Sequence, residues 1–212
     1  MTVPVLQDLP ALVERARGLA ARGGRTILGI AGPPGAGKST IAAAVAAGVG
    51  DAAVLVPMDG FHLAQATLVA LGRRDRMGAP DTFDAAGYAA LLRRLRANAE
   101  PVVYAPDFRR EIEEPIAGAI AVPRSVALVV TEGNYLLLDD PAWAPVRPLL
   151  DEAWHVDLEA GTRVERLVAR HVAFGKAPAA ARAWVQRSDE ANAARLAGTL
   201  ARADVLVRLD GR

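Results

Sequence analysis

Short apolar segments alternate with amphipathic segments along this chain, and the alternation predicts its secondary structure. Five segments are apolar throughout or nearly so and contain β-branched residues, a pattern typical of strands that are buried on both faces of a sheet. Between them, apolar residues recur at helical spacing, as with Leu91, Leu92 and Leu95. The predicted strands are residues 26–31, 53–56, 126–131, 154–158 and 204–209.

Strands that alternate with helices predict an α/β fold, in which a five-stranded parallel sheet is covered by helices on both faces as a three-layer sandwich. Asp84 is suited to cap one helix, and Pro178 to start another. No internal repeat or linker divides the chain, so residues 1–212 are expected to form a single domain. The predicted helices are residues 4–22, 38–47 (stopped around Gly48 and Gly50), 85–98 and 161–174.

Two irregular segments, about residues 60–84 and 100–124, interrupt this alternation. The second contains four prolines and is too long to be a bare connection. We expect both segments to be functional excursions, and the second to contain a small hairpin.

Composition and charge narrow the classes of partner. The chain is 52% hydrophobic and 23% charged, with a formal net charge of +1 and no cysteine. A balanced charge offers no electrostatic reason to expect a nucleic acid or an anionic membrane as a partner. The absence of cysteine excludes disulfides and fits a cytoplasmic protein.

The residues from Gly32 to Ser39 match the phosphate-binding pattern G-x-x-x-x-G-K-[ST], between a predicted strand and a predicted helix. Glycines allow the backbone N–H groups to curl around phosphates at the N-terminus of a helix. Lys38 would then contact the β- and γ-phosphates of ATP, and Ser39 would bind Mg²⁺. A chance Gly-Pro turn is the alternative. The predicted nucleotide-binding residues are Gly32, Pro33, Pro34, Gly35, Ala36, Gly37, Lys38, Ser39 and Thr40.

Two acidic residues follow predicted strands at the edge where parallel sheets bind ligands. Asp59 is placed to accept the proton of an attacking hydroxyl, and Glu132 to hold Mg²⁺ directly or through a water. Glu132 could instead be the base, and the sequence does not separate these two roles. The alternatives are a solvated turn for Asp59 and a turn or helix cap for Glu132.

Several segments together resemble the P-loop kinase family that contains uridine kinase, phosphoribulokinase and bacterial pantothenate kinase. Within it, the chain is most similar to short bacterial nucleoside/nucleotide kinase-like, or fructose-transport-system kinase-like, proteins. The resemblance implies that Asp59 is the catalytic acid/base and that Phe61, His62, Phe83, Asp84 and Tyr104 line the acceptor pocket. A homodimer is plausible from the resemblance alone. The matching segments are residues 32–40, 57–63, 79–84, 104–108, 131–135 and 187–192.

One position departs from these relatives, which often have an acidic residue after the aromatic of the 104–108 segment. This chain has Arg109 there. If Arg109 contacts the acceptor, an anionic acceptor is favoured; a solvated loop arginine is the alternative.

Residues of about 161–190 resemble the lid of this family. Its first helix has an apolar stripe, and arginines recur on the other face. Arg166 and Arg170 are predicted to stabilise the transferred phosphate, whereas Arg163 is expected to be solvated. Asp189 and Asn192 share a helix face and are expected near the nucleotide.

The resulting hypothesis is a kinase that uses ATP and Mg²⁺ to phosphorylate a hydroxyl of a small molecule, with a sugar or sugar-like polyol as first choice. A nucleoside or pantothenate-type kinase is the alternative with the same chemistry. An ATPase or nucleotide-driven switch without a small-molecule acceptor is the alternative from another class.

Overall fold

The backbone of residues 3–209 is described by a computed structural model, which contains a parallel sheet, a separate hairpin and seven α-helices. The strands are β1 (Val5–Leu6), β2 (Thr26–Ala31), β3 (Ala53–Pro57), β4 (Val102–Arg109), β5 (Glu114–Pro123), β6 (Leu128–Gly133), β7 (Glu152–Val156) and β8 (Val205–Val207). The helices are α1 (Leu9–Ala20), α2 (Lys38–Val49), α3 (Gln65–Ala70), α4 (Ala85–Ala97), α5 (Ala160–Ala173), α6 (Pro178–Trp184) and α7 (Glu190–Arg195).

The main sheet has six parallel strands in the order β1-β8-β7-β2-β6-β3, one more than the five predicted from the sequence. The additional strand is β1, which the helical spacing had assigned to the start of a helix at residue 4. That helix begins later, because Asp8 caps it by accepting a hydrogen bond from the backbone N–H of Ala11 at 2.8 Å. Val5 and Leu6 are thereby free to pair with Leu206 and Val207.

Helices cover both faces of the sheet, which confirms the predicted three-layer α/β architecture. Within β2, Ile27 and Ala31 pack into one hydrophobic core while Leu28 and Ile30 pack into the other, as the alternation of a strand requires. Helices α1 and α2 cover the second core, and α4 with residues 135–150 covers the first. Among residues 3–209, no helix combines the length and apolarity needed to cross a membrane.

Two predicted helix boundaries illustrate local control of the fold. The carboxylate of Asp84 accepts a hydrogen bond from the N–H of Gly87 at 2.8 Å and starts α4, as predicted. Helix α2 continues through Gly48 to Val49 and ends at Gly50, so Gly48 does not stop it.

The irregular segment 100–124 contains the predicted hairpin, formed by β4 and β5 as a separate antiparallel pair. The hairpin packs against the turn Met58–Phe61 that follows β3. Gly60 makes this approach possible, because a β-carbon added there would lie 2.4 Å from the carbonyl oxygen of Pro106.

Replacing Gly60 with alanine is expected to destabilise the protein by about 1–3 kcal/mol, since the new methyl group meets backbone that cannot rotate away. Denaturant unfolding measures this change. Gly18→Ala is the matched control, because Gly18 lies in α1 with nothing within 4 Å of its added β-carbon. Equal stabilities of the two variants would contradict the close packing of the hairpin at Gly60.

Candidate active site

The carboxyl ends of the central strands bring the predicted acidic residues to the phosphate-binding loop. Strand β6 pairs with β2 on one side and β3 on the other, with Ala31 opposite Gly133 and Pro57 opposite Glu132. A cavity of about 360 Å³ opens at this edge of the sheet. Its walls come from the phosphate-binding loop (residues 32–39, called the P-loop below), the ends of β3 and β6, the tip of the β4–β5 hairpin and helices α5–α7.

The P-loop has a backbone conformation that its glycines permit. Gly32, Gly35 and Gly37 have φ angles of +147°, +80° and +93°, in the region that L-residues rarely adopt. A β-carbon at Gly35 would lie 2.8 Å from the carbonyl oxygen of Arg163. One at Gly37 would have only the Arg166 guanidinium within 4 Å, at 3.9 Å, so this side of the loop is open. The loop therefore fits a bound phosphate chain.

Lys38 is the first residue of α2, and its side chain turns back to the loop. Its Nζ donates a hydrogen bond to the carbonyl oxygen of Pro33 at 3.0 Å. Burial lowers its pKa to about 8, and the nearby Glu132 and Asp59 oppose that change. A buried ammonium group with one backbone partner is poised to bind an anion.

Ser39 and Glu132 form the pair of oxygen donors that the sequence predicted for Mg²⁺. The hydroxyl of Ser39 donates to Oε1 of Glu132 at 3.0 Å. Burial and the charge of Asp59 raise the pKa of Glu132 to about 7, and Lys38 opposes this. Residues 3–209 contain no cluster of three or more His, Asp or Glu side chains suited to a metal. The pair fits Mg²⁺, which commonly binds one or two protein oxygens and completes its shell with water and phosphate.

Asp59 lies on the turn after β3, with its side chain 30% exposed to the cavity. Its carboxylate receives one contact from Nη2 of Arg110 at 3.4 Å. Unlike Glu132, it is open to a molecule that enters beside the P-loop.

His62 and Phe83, which were predicted for the acceptor pocket, line the cavity. The His62 ring packs against Phe83 and Phe108 at interplanar angles of 41° and 40°, with centroid separations of 3.9 and 4.7 Å. Nδ1 of His62 lies 2.8 Å from the carbonyl oxygen of Asp59. A carbonyl oxygen can only accept, so Nδ1 carries the proton. Burial lowers the pKa of His62, so its Nε2 is left as a hydrogen-bond acceptor.

Four other residues predicted for the acceptor pocket lie outside the cavity lining. Phe61 packs edge-to-face on Tyr88, Asp84 caps α4, and Tyr104 is 60% exposed on the hairpin. Arg109 is exposed, and it is the next residue, Arg110, that reaches Asp59. The reason is that Arg109 is the last residue of β4, paired with Glu114, whereas Arg110 begins the turn and points back over the site.

The lid residues fold as α5, α6, a π-helical turn (Val185–Asp189) and α7. Arg170 lines the cavity, and Arg166 extends toward Gly37. Arg163, expected to be solvated, is instead buried: its guanidinium donates to the carbonyl oxygen of Pro34 at 3.1 Å and to Glu190 at 2.6 Å. It ties the P-loop to the end of the lid, a contact that helical spacing alone cannot predict.

Residues near the end of the lid also line the cavity. Asn192, predicted to approach the nucleotide, donates to the carbonyl oxygen of Gly78 at 3.3 Å. Nε2 of His171 lies 3.0 Å from Oδ2 of Asp189, and both residues line the cavity. The further lining residues that sequence reasoning did not assign to the site are Arg74, Met77, Gly78, Phe108, Arg110, Glu113, Gly133, Asn134, Phe174, Lys176 and Trp184.

Similar sequences point to one group of proteins, although no protein family model matches the chain. A proposed uridine kinase of Schizosaccharomyces pombe is 32% identical over 181 residues, covering 81% of this chain and 77% of the relative. The ATP-dependent kinase-like protein notR' of Aspergillus versicolor is 37% identical over 145 residues, or 64% of this chain and 84% of the relative.

Solved structures agree with the sequence comparison. A proposed fructose transport system kinase from Silicibacter sp. TM1040 superposes with a TM-score of 0.82 at 33% identity, covering 95% of this chain and 99% of that one. YFH7 of Saccharomyces cerevisiae shares the fold, with a TM-score of 0.83 at 18% identity over 97% of this chain and 99% of that one.

Proposed function

Because the chain belongs to the P-loop kinases of the uridine kinase and phosphoribulokinase family, we propose that it transfers the γ-phosphate of ATP to a hydroxyl of a small metabolite. The observation that carries this proposal is the Asp59 carboxylate, which faces the cavity beside Lys38 and Ser39. A sugar or sugar-like polyol is the first choice of acceptor, and a nucleoside or a pantothenate-type molecule is the alternative.

The P-loop supports the proposed binding of ATP and Mg²⁺. The curled backbone and the Lys38 ammonium group are suited to hold the phosphates, and Ser39 with Glu132 would hold Mg²⁺. When bound, Mg²⁺ neutralises charge on the phosphates. Asn192 and the end of the lid, which Arg163 ties to the P-loop, close this side of the cavity.

Asp59 and the lid arginines support the proposed transfer of the γ-phosphate to the acceptor. Asp59 would orient the acceptor hydroxyl and take its proton. Arg170 and Arg166 would stabilise the negative charge on the phosphoryl group as it is transferred. The lid would also exclude water that could otherwise attack ATP.

The surroundings of the two acids favour Asp59 as the base and Glu132 as the metal ligand. Glu132 is buried and already bonded to Ser39, so it faces the cation position. Asp59 is more exposed and lies at the side of His62, where an acceptor would enter.

Release of ADP from Mg-ATP, measured across sugars, polyols, nucleosides and pantothenate, tests this proposal. A kinase needs its acceptor for fast turnover, so one chemical class is expected to raise ADP release well above the rate without acceptor. An acceptor-independent rate that no compound increases would favour the ATPase or switch instead.

A further inference from the structure

We propose that the acceptor carries an anionic group, a phosphate or a carboxylate, which binds to Arg110 and Arg74 while its hydroxyl lies at Asp59. This inference rests on the proposed function and specifies the class of its acceptor. It comes from the acceptor end of the cavity, where the β4–β5 hairpin tip meets the segment after α3.

Two guanidinium groups from different segments line the cavity: Arg74 comes from the segment after α3, and Arg110 comes from the hairpin tip. Asp81 is occupied by the neighbours of Arg74, namely Arg73 at 3.6 Å and Arg76 at 2.6 Å. Within residues 3–209, Arg74 itself has no ion pair within 4.0 Å, so its charge is available to a ligand.

The bond of Arg110 to Asp59 is weak enough to be exchanged. It is a single contact at 3.4 Å, and the Arg110 side chain is 45% exposed. A phosphate or carboxylate can accept two parallel N–H bonds from one guanidinium, so it would displace this contact.

The charged side chains of the cavity also bear on the acceptor. Glu132 is bonded to Ser39 and Asp189 to His171, so neither of these carboxylates pairs with an arginine of the acceptor site. The cationic side chains in the lining are Lys38, Arg74, Arg110, Arg170 and Lys176, and the carboxylates are Asp59, Glu113, Glu132 and Asp189.

The hairpin tip that carries Arg110 and Glu113 is held in place. Gln65 donates from its side chain to the carbonyl oxygen of Glu113 at 2.7 Å, and its backbone N–H bonds the carboxylate of Glu114. Glu113 has a φ angle of +55°, an unfavourable conformation for this residue type. The tip is therefore a fixed wall of the acceptor site.

Exchange of partners would link recognition to chemistry. When Arg110 pairs with the acceptor's anion, its single contact to Asp59 is released. The Asp59 carboxylate is then free to accept a hydrogen bond from the hydroxyl of the same molecule. A neutral acceptor would leave the Arg110–Asp59 contact in place.

Matched acceptors test this inference: glycerol with glycerate and glycerol 3-phosphate, and fructose with gluconate and fructose 6-phosphate. We expect kcat/KM to be about 100-fold higher for an anionic member than for its neutral counterpart. The carboxylate and phosphate arms identify which anion is used. Arg110→Gln is expected to remove most of this preference by raising KM for the anionic member, and Arg110→Lys is expected to be intermediate.

Arg109→Gln is the matched control, since Arg109 adjoins Arg110 but lies outside the cavity lining, and it should keep the wild-type preference. Denaturant midpoints check that each variant is folded. Equal kcat/KM for neutral and anionic members, or an equal loss with every acceptor in Arg110→Gln, would overturn the inference while leaving the kinase proposal standing. If no acceptor of either kind stimulates ADP release, both proposals fail.

Discussion

Replacing Asp59 with asparagine is expected to lower acceptor-dependent ADP formation by about 10²- to 10⁴-fold, because the amide keeps the shape of the carboxylate but cannot take the hydroxyl proton. Binding of the nucleotide should not weaken, since Lys38 and the P-loop are retained and the substitution removes a negative charge close to Lys38. Steady-state kinetics with the best acceptor and fluorescence titration with an ATP analogue measure the two effects separately.

Two further variants make this result specific. Asp75→Asn removes an exposed carboxylate from the same excursion and should keep wild-type turnover. Glu132→Gln should slow turnover and raise the Mg²⁺ concentration required for half-maximal rate, which is the signature of a metal ligand. If Glu132→Gln abolishes turnover at every Mg²⁺ concentration while Asp59→Asn remains active, the roles of the two acids are reversed.

Replacing Lys38 with methionine is expected to lower turnover by about 10²- to 10³-fold and to make the empty protein more stable. Methionine retains an unbranched side chain but contributes no charge to the phosphates. A buried ammonium group with a pKa of about 8 instead of 10.5 carries a burial penalty on the order of 3 kcal/mol at neutral pH. Removing the charge recovers part of this free energy, and denaturant unfolding measures the gain.

The pH dependence of stability provides a second readout for Lys38. Between pH 8 and 10.5 the unfolded chain still binds a proton that folded Lys38 has lost, so wild-type stability should rise with pH. The advantage of Lys38→Met should therefore shrink between pH 7.5 and 9.5, with nucleotide absent and a chelator present. Lys176→Met, at an exposed lysine whose Nζ lies 5.1 Å from the centroid of the Trp184 ring, should lower the unfolding free energy by no more than about 1 kcal/mol. A pH-independent advantage would contradict a depressed Lys38 pKa.

Much of the fold follows from local patterns. The β-branched apolar segments formed strands, and the cap at Asp84 started α4 where its side chain predicted. Strand β1 was not predicted, because a strand of two residues is too short to show a hydrophobic periodicity. Their conformation depends on pairing with Leu206 and Val207, at the opposite end of the chain.

The candidate site was predictable where it is continuous in sequence and not where it is assembled from loops. The P-loop, with the acids that end β3 and β6, follows from strand position, because parallel strands bring their carboxyl ends to one edge. Arg110 could not be chosen over Arg109 without the turn at the hairpin tip.

By itself, the sequence determined the phosphate-binding loop and the alternation of strands and helices, since both depend on residues that are neighbours along the chain. The tertiary structure alone decided which arginines serve the site. Arg163 is buried because α7 folds back to place Glu190 beside the P-loop, and Arg110 faces Asp59 because Gly60 admits the hairpin. Such contacts join residues far apart in sequence, and no local pattern specifies them.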